Sequence, residues 1–337
     1  MNILVTGGAG FMGSHFIRYL LEHYHDVALL NLDKLTYAAS LERLKDVAKW
    51  FKDRYVFLKG DIADTPLVGK IFKEFTPDIV VDFAAESHVD RSILEPGEFV
   101  KTDVLGTYTL LEAARKFGIK RYIKVSTDEV FGTIAKGTFT EESPFQPNSP
   151  YSASKAGGDL LCRAYARTYA LPVIVTHFCN FIGPWQYPEK FIPLFITNLL
   201  ENKKVPLYGK GRNQREWIWV GDVSLALDLL MQRGAPGEVY NIGTGEEKEN
   251  WEIATQIVQY LDKDQSSIVN VKDRPGHDFR YALDFSKIKA LGFSPQYSFS
   301  RALKETIEWY KQNRWWWEKI KQSEEFGEYY RRQYPSL

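Results

Sequence analysis

The sequence predicts an α/β protein, a doubly wound parallel sheet followed by a smaller C-terminal lobe. Three observations predict it. Short apolar runs alternate with amphipathic segments as far as Ser126, and a glycine-rich turn closes the first apolar run. From about Ile182 the strand-like runs become sparse, and Pro, Gly and aromatic residues punctuate shorter elements. A strand–helix alternation can bury both faces of its strands only by parallel pairing with right-handed crossovers.

In chain order, Asn2–Thr6, Val27–Leu32, Tyr55–Lys59, Ile79–Phe83 and Tyr122–Ser126 read as buried strands. Between them, Phe16–Tyr24, Leu67–Phe75 and Val100–Phe117 carry apolar residues near helical spacing. The prolines of Ser143–Pro150 stop the pattern; a long helix then starts at Tyr151, and Pro172–Phe178 reads as one more strand. This places a sheet domain at 1–180 and a smaller domain at 181–337, with the chain free to cross back between them. Trp315, Trp316 and Trp317 are expected to pack a helix onto the body, since aromatics chiefly contribute buried area. The charged tail after Lys319 is expected to be a solvated, partly ordered end.

Composition bounds the function. At 337 residues there is room for about two domains of roughly 150 residues. With 44% hydrophobic and 15% aromatic residues, disorder is excluded. Cys162 and Cys179 are isolated, which excludes a disulfide scaffold and favours a reducing compartment and no structural metal. Lys plus Arg and Asp plus Glu are both 43, so no global field marks a nucleic-acid or anionic-membrane partner. No apolar run approaches the ~18 residues that span a bilayer. The chain enters a strand at Asn2, leaving no space for a signal peptide, and the expected location is cytoplasmic.

Thr6–Gly13 follows a strand and opens a helix, with Gly7, Gly10 and Gly13 three apart. One glycine turns sharply, one lets backbone N–H groups approach a pyrophosphate, and one brings helix close to strand; the helix's positive end attracts the anion. In this Rossmann-like context Asp33, 20 residues beyond Gly13, suits a ribose 2′-hydroxyl and repels a 2′-phosphate, so NAD is favoured over NADP. Lys34 beside it weakens that exclusion slightly. Asp61 and Ile62, after the third strand, fit an adenine-edge contact.

Tyr151 and Lys155 lie one helical turn apart on one face. A cation near a phenol favours its phenolate, which can take a hydroxyl proton while the carbon gives up hydride. The spacing alone means little, because Tyr55 and Lys59 repeat it within a strand. Position is what distinguishes Tyr151, at the head of the first helix after the fifth strand. That strand ends in Thr127, Asp128 and Glu129, where ligands of doubly wound sheets bind. Two adjacent carboxylates there are useful if one is a neutral acid and the other a charged base; otherwise they are solvated loop acids.

These segments, with Leu32–Tyr37, Ala84–Ser92, Pro188–Lys190, Asp273–Asp278, Arg280 and Tyr281, resemble the extended short-chain dehydrogenase/reductases over nearly the whole chain. Within them, Thr127-Asp128-Glu129 and Arg274–Asp278 resemble the nucleotide-sugar 4,6-dehydratases. The resemblance implies NAD as cofactor and dTDP-glucose as substrate. Tyr151 would deprotonate the glucose 4-hydroxyl as C4 is oxidised, Glu129 would remove the C5 proton, and Asp128 would protonate the departing 6-hydroxyl. Hydride returning to C6 completes a 4-keto-6-deoxy sugar. Thr127 would bond near O4, and Lys155 would hold ribose and phenolate. Implied cofactor contacts are Gly7, Gly10, Phe11, Met12, Gly13, Asp33, Lys34, Leu35, Thr36, Asp61, Ile62, Phe83, Ala84, Ala85, Ser87 and Thr102, besides Tyr151 and Lys155. Implied substrate contacts are His88, Thr127, Asn180, Glu189, Lys190, Phe191, Pro206, Tyr208, Arg215, Asn250, Arg274 and His277, with Arg215 and Arg274 on pyrophosphate oxygens. A homodimer through Val100–Phe117 and the helix from Tyr151 is also implied.

The chain departs from that pattern at Phe181 and Ile182, at Trp185-Gln186-Tyr187, and at Asp103, Phe131 and Ala39, where Asn, Tyr and Gly are usual. Other readings are a dehydratase of another nucleotide sugar such as UDP-glucose, a 4-epimerase, which needs only the Tyr–Lys pair, and a catalytically silent NAD-binding regulatory or scaffold protein.

Overall fold

A computed structural model describes residues 1–335. Five strands pair in parallel where the apolar runs lie: β1 (Asn2–Thr6), β2 (Ala28–Asp33), β3 (Tyr55–Lys59), β4 (Ile79–Asp82) and β5 (Arg121–Thr127). With β6 (Val173–Phe178) and a late strand, Val239–Ile242, they form a seven-stranded sheet in the order β3-β2-β1-β4-β5-β6 and then Val239–Ile242. The order reverses between β1 and β4, which opens a crevice at their carboxyl ends. Apolar clusters cover both faces of this sheet, one around Phe16, Ile17 and Leu227, the other around Phe72, Leu110 and Tyr122.

The chain crosses back. After β7 (Asn180–Ile182), β8 (Val205–Tyr208) and β9 (Gln214–Trp219), the helix Val220–Arg233 packs on the helix Phe11–His23. The late strand, β10 (Val239–Ile242), then joins β6, so residues 220–242 belong in space to the sheet. The smaller lobe is built on β7 and β9 with β11 (Glu247–Glu249), on β8 with β12 (Ile268–Val271), and on the helices Phe191–Leu200, Asn250–Tyr260 and Phe299–Gln312. Among the described residues no helix is long and apolar enough to cross a membrane.

Three differences from expectation bear on the site. The first helix begins at Phe11, not Phe16, because Gly10 caps it inside the glycine loop, where no apolar period marks it. Val100–Phe117 is not one α-helix: a π-helical turn, Lys101–Gly106, separates helices Pro96–Val100 and Thr107–Phe117. The tail is not a solvated end. Residues Glu324–Gln333 form a helix whose Phe326 and Tyr329 are buried, as is Tyr334 after it. Its aromatics sit among charges, which hid an amphipathic face. Trp316 and Trp317 are buried as expected, while Trp315 stays exposed; Trp316 packs edge-on against Trp185, 5.3 Å between centroids.

Candidate active site

The glycine loop is a backbone cradle. Gly7 has φ +67°, and a Cβ on it would lie 2.8 Å from the Ala84 amide nitrogen; one on Gly13 would lie 2.5 Å from Gly7 O. Gly10 caps the helix with no side chain, and no acidic residue stands in its first turn. The free helix N–H groups therefore open on the crevice, a fit for pyrophosphate. Asp33 is held by two backbone donors, Ala9 N on Oδ2 and Leu35 N on Oδ1, both at 2.8 Å. Burial raises its pKa despite those donors. Lys34 is drawn to acids, 3.2 Å from Asp61 and 3.0 Å from Glu98, so its charge is largely neutralised where a 2′-phosphate would seek it. These residues fit a dinucleotide without that phosphate.

All the candidate residues except Leu35 line one cleft of about 380 Å³. Leu35 acts from behind, through its N–H on Asp33. Thr127 ends β5 and caps the turn Asp128–Phe131, its hydroxyl accepting from Glu129 N at 3.2 Å. Across the cleft, Ser149 and Ser152 form a capping box and Pro150 starts the helix Pro150–Tyr169, which sets Tyr151 and Lys155 on its first turns. Lys155 Nζ donates to Val125 O at 2.9 Å and lies 3.7 Å from Asp103 Oδ1.

The two adjacent acids differ in surroundings. Burial, then the neighbouring Glu129 charge, push the Asp128 carboxyl well above its usual range. Glu129 is also raised by burial, but Arg274, Arg215 and Lys190 oppose the rise. Asp128 is thus the proton-bearing member and Glu129 the one supported as an anion. Tyr151 corrects an expectation. A nearby lysine is expected to lower its pKa; instead burial, Glu129, Asp103 and Asp128 raise it well above 10, with the Thr127 hydroxyl opposing. Lys155 is itself lowered by burial. The chain alone keeps the phenol protonated.

At the far end of the cleft, Asn180 Oδ1, Asn250 Oδ1 and Arg274 Nε are buried without a partner among the described residues. Arg274 pairs with Asp90 at 2.9 Å. Arg215 spends donors on the carbonyls of Gln214 and Asp278, both at 2.7 Å, and stacks 4.0 Å over Tyr281. Glu189 is tied to Tyr37 at 2.6 Å and Arg91 at 3.1 Å, so it shapes the wall more than it offers an acceptor. Lys190 donates to Ser87 O, and His277 lies 2.6 Å from Asp273. Phe191, Pro206 and Tyr208 complete the wall.

Sequence reasoning missed Arg43, Glu86, Asp90 and Tyr334, which also line the cleft. Arg43 is fully buried and donates to Ala9 O and Ala38 O, both at 2.8 Å, and to Trp185 O; nothing in Leu41–Leu44 marks it. For the tail, Phe326, Tyr329, Tyr330 and Tyr334 at spacings of three and four were the available signal.

A protein-family profile described as GDP-mannose 4,6 dehydratase matches residues 4–306. A dTDP-glucose 4,6-dehydratase of Streptomyces niveus is 48% identical over 96% of this chain and 97% of its own. The low-salt glycan biosynthesis protein Agl12 of Haloferax volcanii is 48% identical over 92% and 98%. Among solved structures, DesIV, a dTDP-glucose 4,6-dehydratase from Streptomyces venezuelae with NAD bound, superposes with TM-score 0.92 at 49% identity, covering 95% of this chain and 100% of that one. A UDP-glucose 4-epimerase from Thermotoga maritima superposes with TM-score 0.86 at 31% identity, covering 93% and 99%.

Proposed function

This chain belongs to the GDP-mannose 4,6 dehydratase family, and we propose that within it the protein is an NAD-dependent dTDP-glucose 4,6-dehydratase. The observation that carries the reading is the unequal pair Asp128 and Glu129 facing Tyr151 in one cleft. A 4-epimerase of this fold needs the Tyr–Lys pair but has no use for a matched acid and base. A silent scaffold needs none of them.

NAD, when bound, supplies the acceptor for the C4 hydride and returns that hydride to C6. The chain's own groups move the protons. Tyr151 takes the proton of the sugar 4-hydroxyl, with the Thr127 hydroxyl beside it. The C4 ketone acidifies C5, and Glu129 takes the C5 proton. Asp128 gives its proton to the 6-hydroxyl, which leaves as water. Glu129 gives a solvent-exchangeable proton back to C5 as the hydride reaches C6, and the proton held by Tyr151 restores Asp128 through solvent, so the counts balance and the sugar ends as a 4-keto-6-deoxy hexose. Residues of 1–180 provide the dinucleotide cradle, and Asn180, Lys190, Arg215, Asn250 and Arg274 the nucleotide-sugar end. The guanidinium groups suit pyrophosphate oxygens.

We place the protein in the cytoplasm as a homodimer. Its two cysteines are free and buried. Val100, Leu105 and Tyr108 on the π turn and its flanking helices, with Leu160 on the helix Pro150–Tyr169, are apolar side chains left exposed on elements that pack against one another. Such a patch rarely faces water in a monomer.

Incubation with dTDP-glucose in deuterated water tests the function. It should place deuterium at C5 of a 4-keto-6-deoxy product with no net NADH. Recovery of unlabelled dTDP-glucose would overturn the substrate, and turnover of UDP-glucose in parallel would reassign it.

A further inference from the structure

A row of alternating buried charge runs beneath the cleft from the glycine loop to Tyr151. Asp82, at the end of β4, accepts from Thr6 Oγ1 at 2.6 Å and from Lys124 Nζ at 2.8 Å. Lys124 also donates to Thr107 Oγ1 at 2.8 Å, just past the π turn. Within that turn, Asp103 sets Oδ2 2.7 Å from Ser154 Oγ and Oδ1 3.7 Å from Lys155 Nζ. The Asp82, Lys124, Asp103 and Lys155 side chains are at most 4% exposed.

Asp103 is the member without a settled use. Its Oδ1 is buried and has no hydrogen-bond partner among the described residues. The π turn and the helix Pro150–Tyr169 are packed so closely that a Cβ on Gly158 would lie 2.5 Å from Asp103 O. That contact fixes the backbone of the turn, and the Ser154 hydroxyl, donating to Oδ2, holds the carboxyl beside Lys155. Two lysines face two aspartates, and a phenolate at Tyr151 would add a third negative charge to a balanced row. In a poorly solvated interior that excess is costly.

We propose that Asp103 is a positioning residue which, by holding the Lys155 charge from behind, makes proton release from Tyr151 wait for a positive charge in the cleft, the charge that oxidised NAD brings. The proposal rests on the dinucleotide reading of the cleft. The surrounding groups agree. Asp103 is faced by Lys155, Lys124, Asp82 and Glu86, and Tyr151 by Glu129, Asp128 and Asp103, while Asp159 also acts on Lys155. An asparagine at 103 would keep the volume and the Ser154 contact. It would also free the lysine's charge for the phenolate.

The test is a tyrosinate absorbance titration of the NAD⁺-loaded protein, with Tyr151→Phe identifying the signal. In Asp103→Asn the midpoint should fall by about one pH unit, roughly tenfold more phenolate at a given acid-side pH. The acid limb of kcat/KM for dTDP-glucose should move with it, while Asp103→Glu stays near the parent. An unmoved midpoint in an Asp103→Asn protein that binds NAD overturns the proposal. Should Asp103→Asn and Asp103→Ala both fail to fold or to bind NAD, Asp103 is a residue of the fold alone and the proposal is equally overturned. A protein inert toward dTDP-glucose would sink the proposed function, while the titration would still decide the role of Asp103.

Discussion

The Tyr329 hydroxyl lies 3.0 Å from His88 Nε2, joining the last helix to the loop after β4 across 241 positions of sequence. His88 Nδ1 accepts from Asp90 N at 3.4 Å, so the neutral ring carries its proton on Nε2 and donates it to Tyr329. A second proton would have to face a backbone N–H.

That arrangement predicts acid sensitivity. Burial lowers the His88 pKa from 6.5 to about 4. Between those values the unfolded chain binds a proton that the folded one refuses, so stability falls as pH drops from about 6.5 to 4 and is intact above that window. A shift of that size is worth about 3 kcal/mol. His15 and His277, also brought to about 4 chiefly by burial, act in the same window. Urea midpoints should drop on acidification, and less steeply in His88→Gln.

Removing residues 324–337 should weaken substrate binding more than NAD binding. Gln333 Nε2 donates to Asp90 Oδ2 at 3.1 Å, and Asp90 in turn holds Arg274 and accepts from the Tyr208 hydroxyl at 2.8 Å. Losing the helix loosens a cleft wall while the glycine loop is untouched. Calorimetric Kd values for dTDP and NAD on the truncated protein check this, with a rise of tenfold or more for dTDP alone expected.

Glu129→Gln should stop the reaction after C4 oxidation. The C5 proton then has no base, a loss of about 10²- to 10⁴-fold in dehydration, while NADH absorbance appears with bound sugar. Asp128→Asn should slow departure of the 6-hydroxyl by a similar factor but leave exchange of the C5 proton with solvent measurable by deuterium uptake. If both variants dehydrate normally, the two acids do not have these roles.

Leu105→Asp combined with Leu160→Asp should yield monomers by light scattering at micromolar concentration with the fold retained. Both side chains are about half exposed in the single chain, so the charges disturb only a docked partner.

The parallel sheet was legible because buried strands need unbroken apolar runs, and β1, β3 and β4 lie within a residue of where those runs do. The glycine loop was legible for a related reason: a backbone that must touch Ala84 and Gly7 leaves no space for any side chain. Asp128, Glu129, Tyr151 and Lys155 could be nominated because strand ends and helix starts are local events.

Other features were decided only by folding. The π turn at Lys101–Gly106 carries no residue pattern of its own; its path is set by packing against the helix Pro150–Tyr169 at Gly158. The tail looked solvated because its charges outnumber its aromatics, and only contact with His88, Asp90 and Asn198 turns it into a wall. Proton affinities followed the same rule. Local sequence set Lys155 one turn from Tyr151, but desolvation and the charges of Glu129 and Asp103, arriving from other elements, raise the proton affinity of the phenol. Periodicity and tight turns are properties of neighbours along the chain, whereas burial and electrostatic fields sum over neighbours in space, which exist only once the chain has closed on itself.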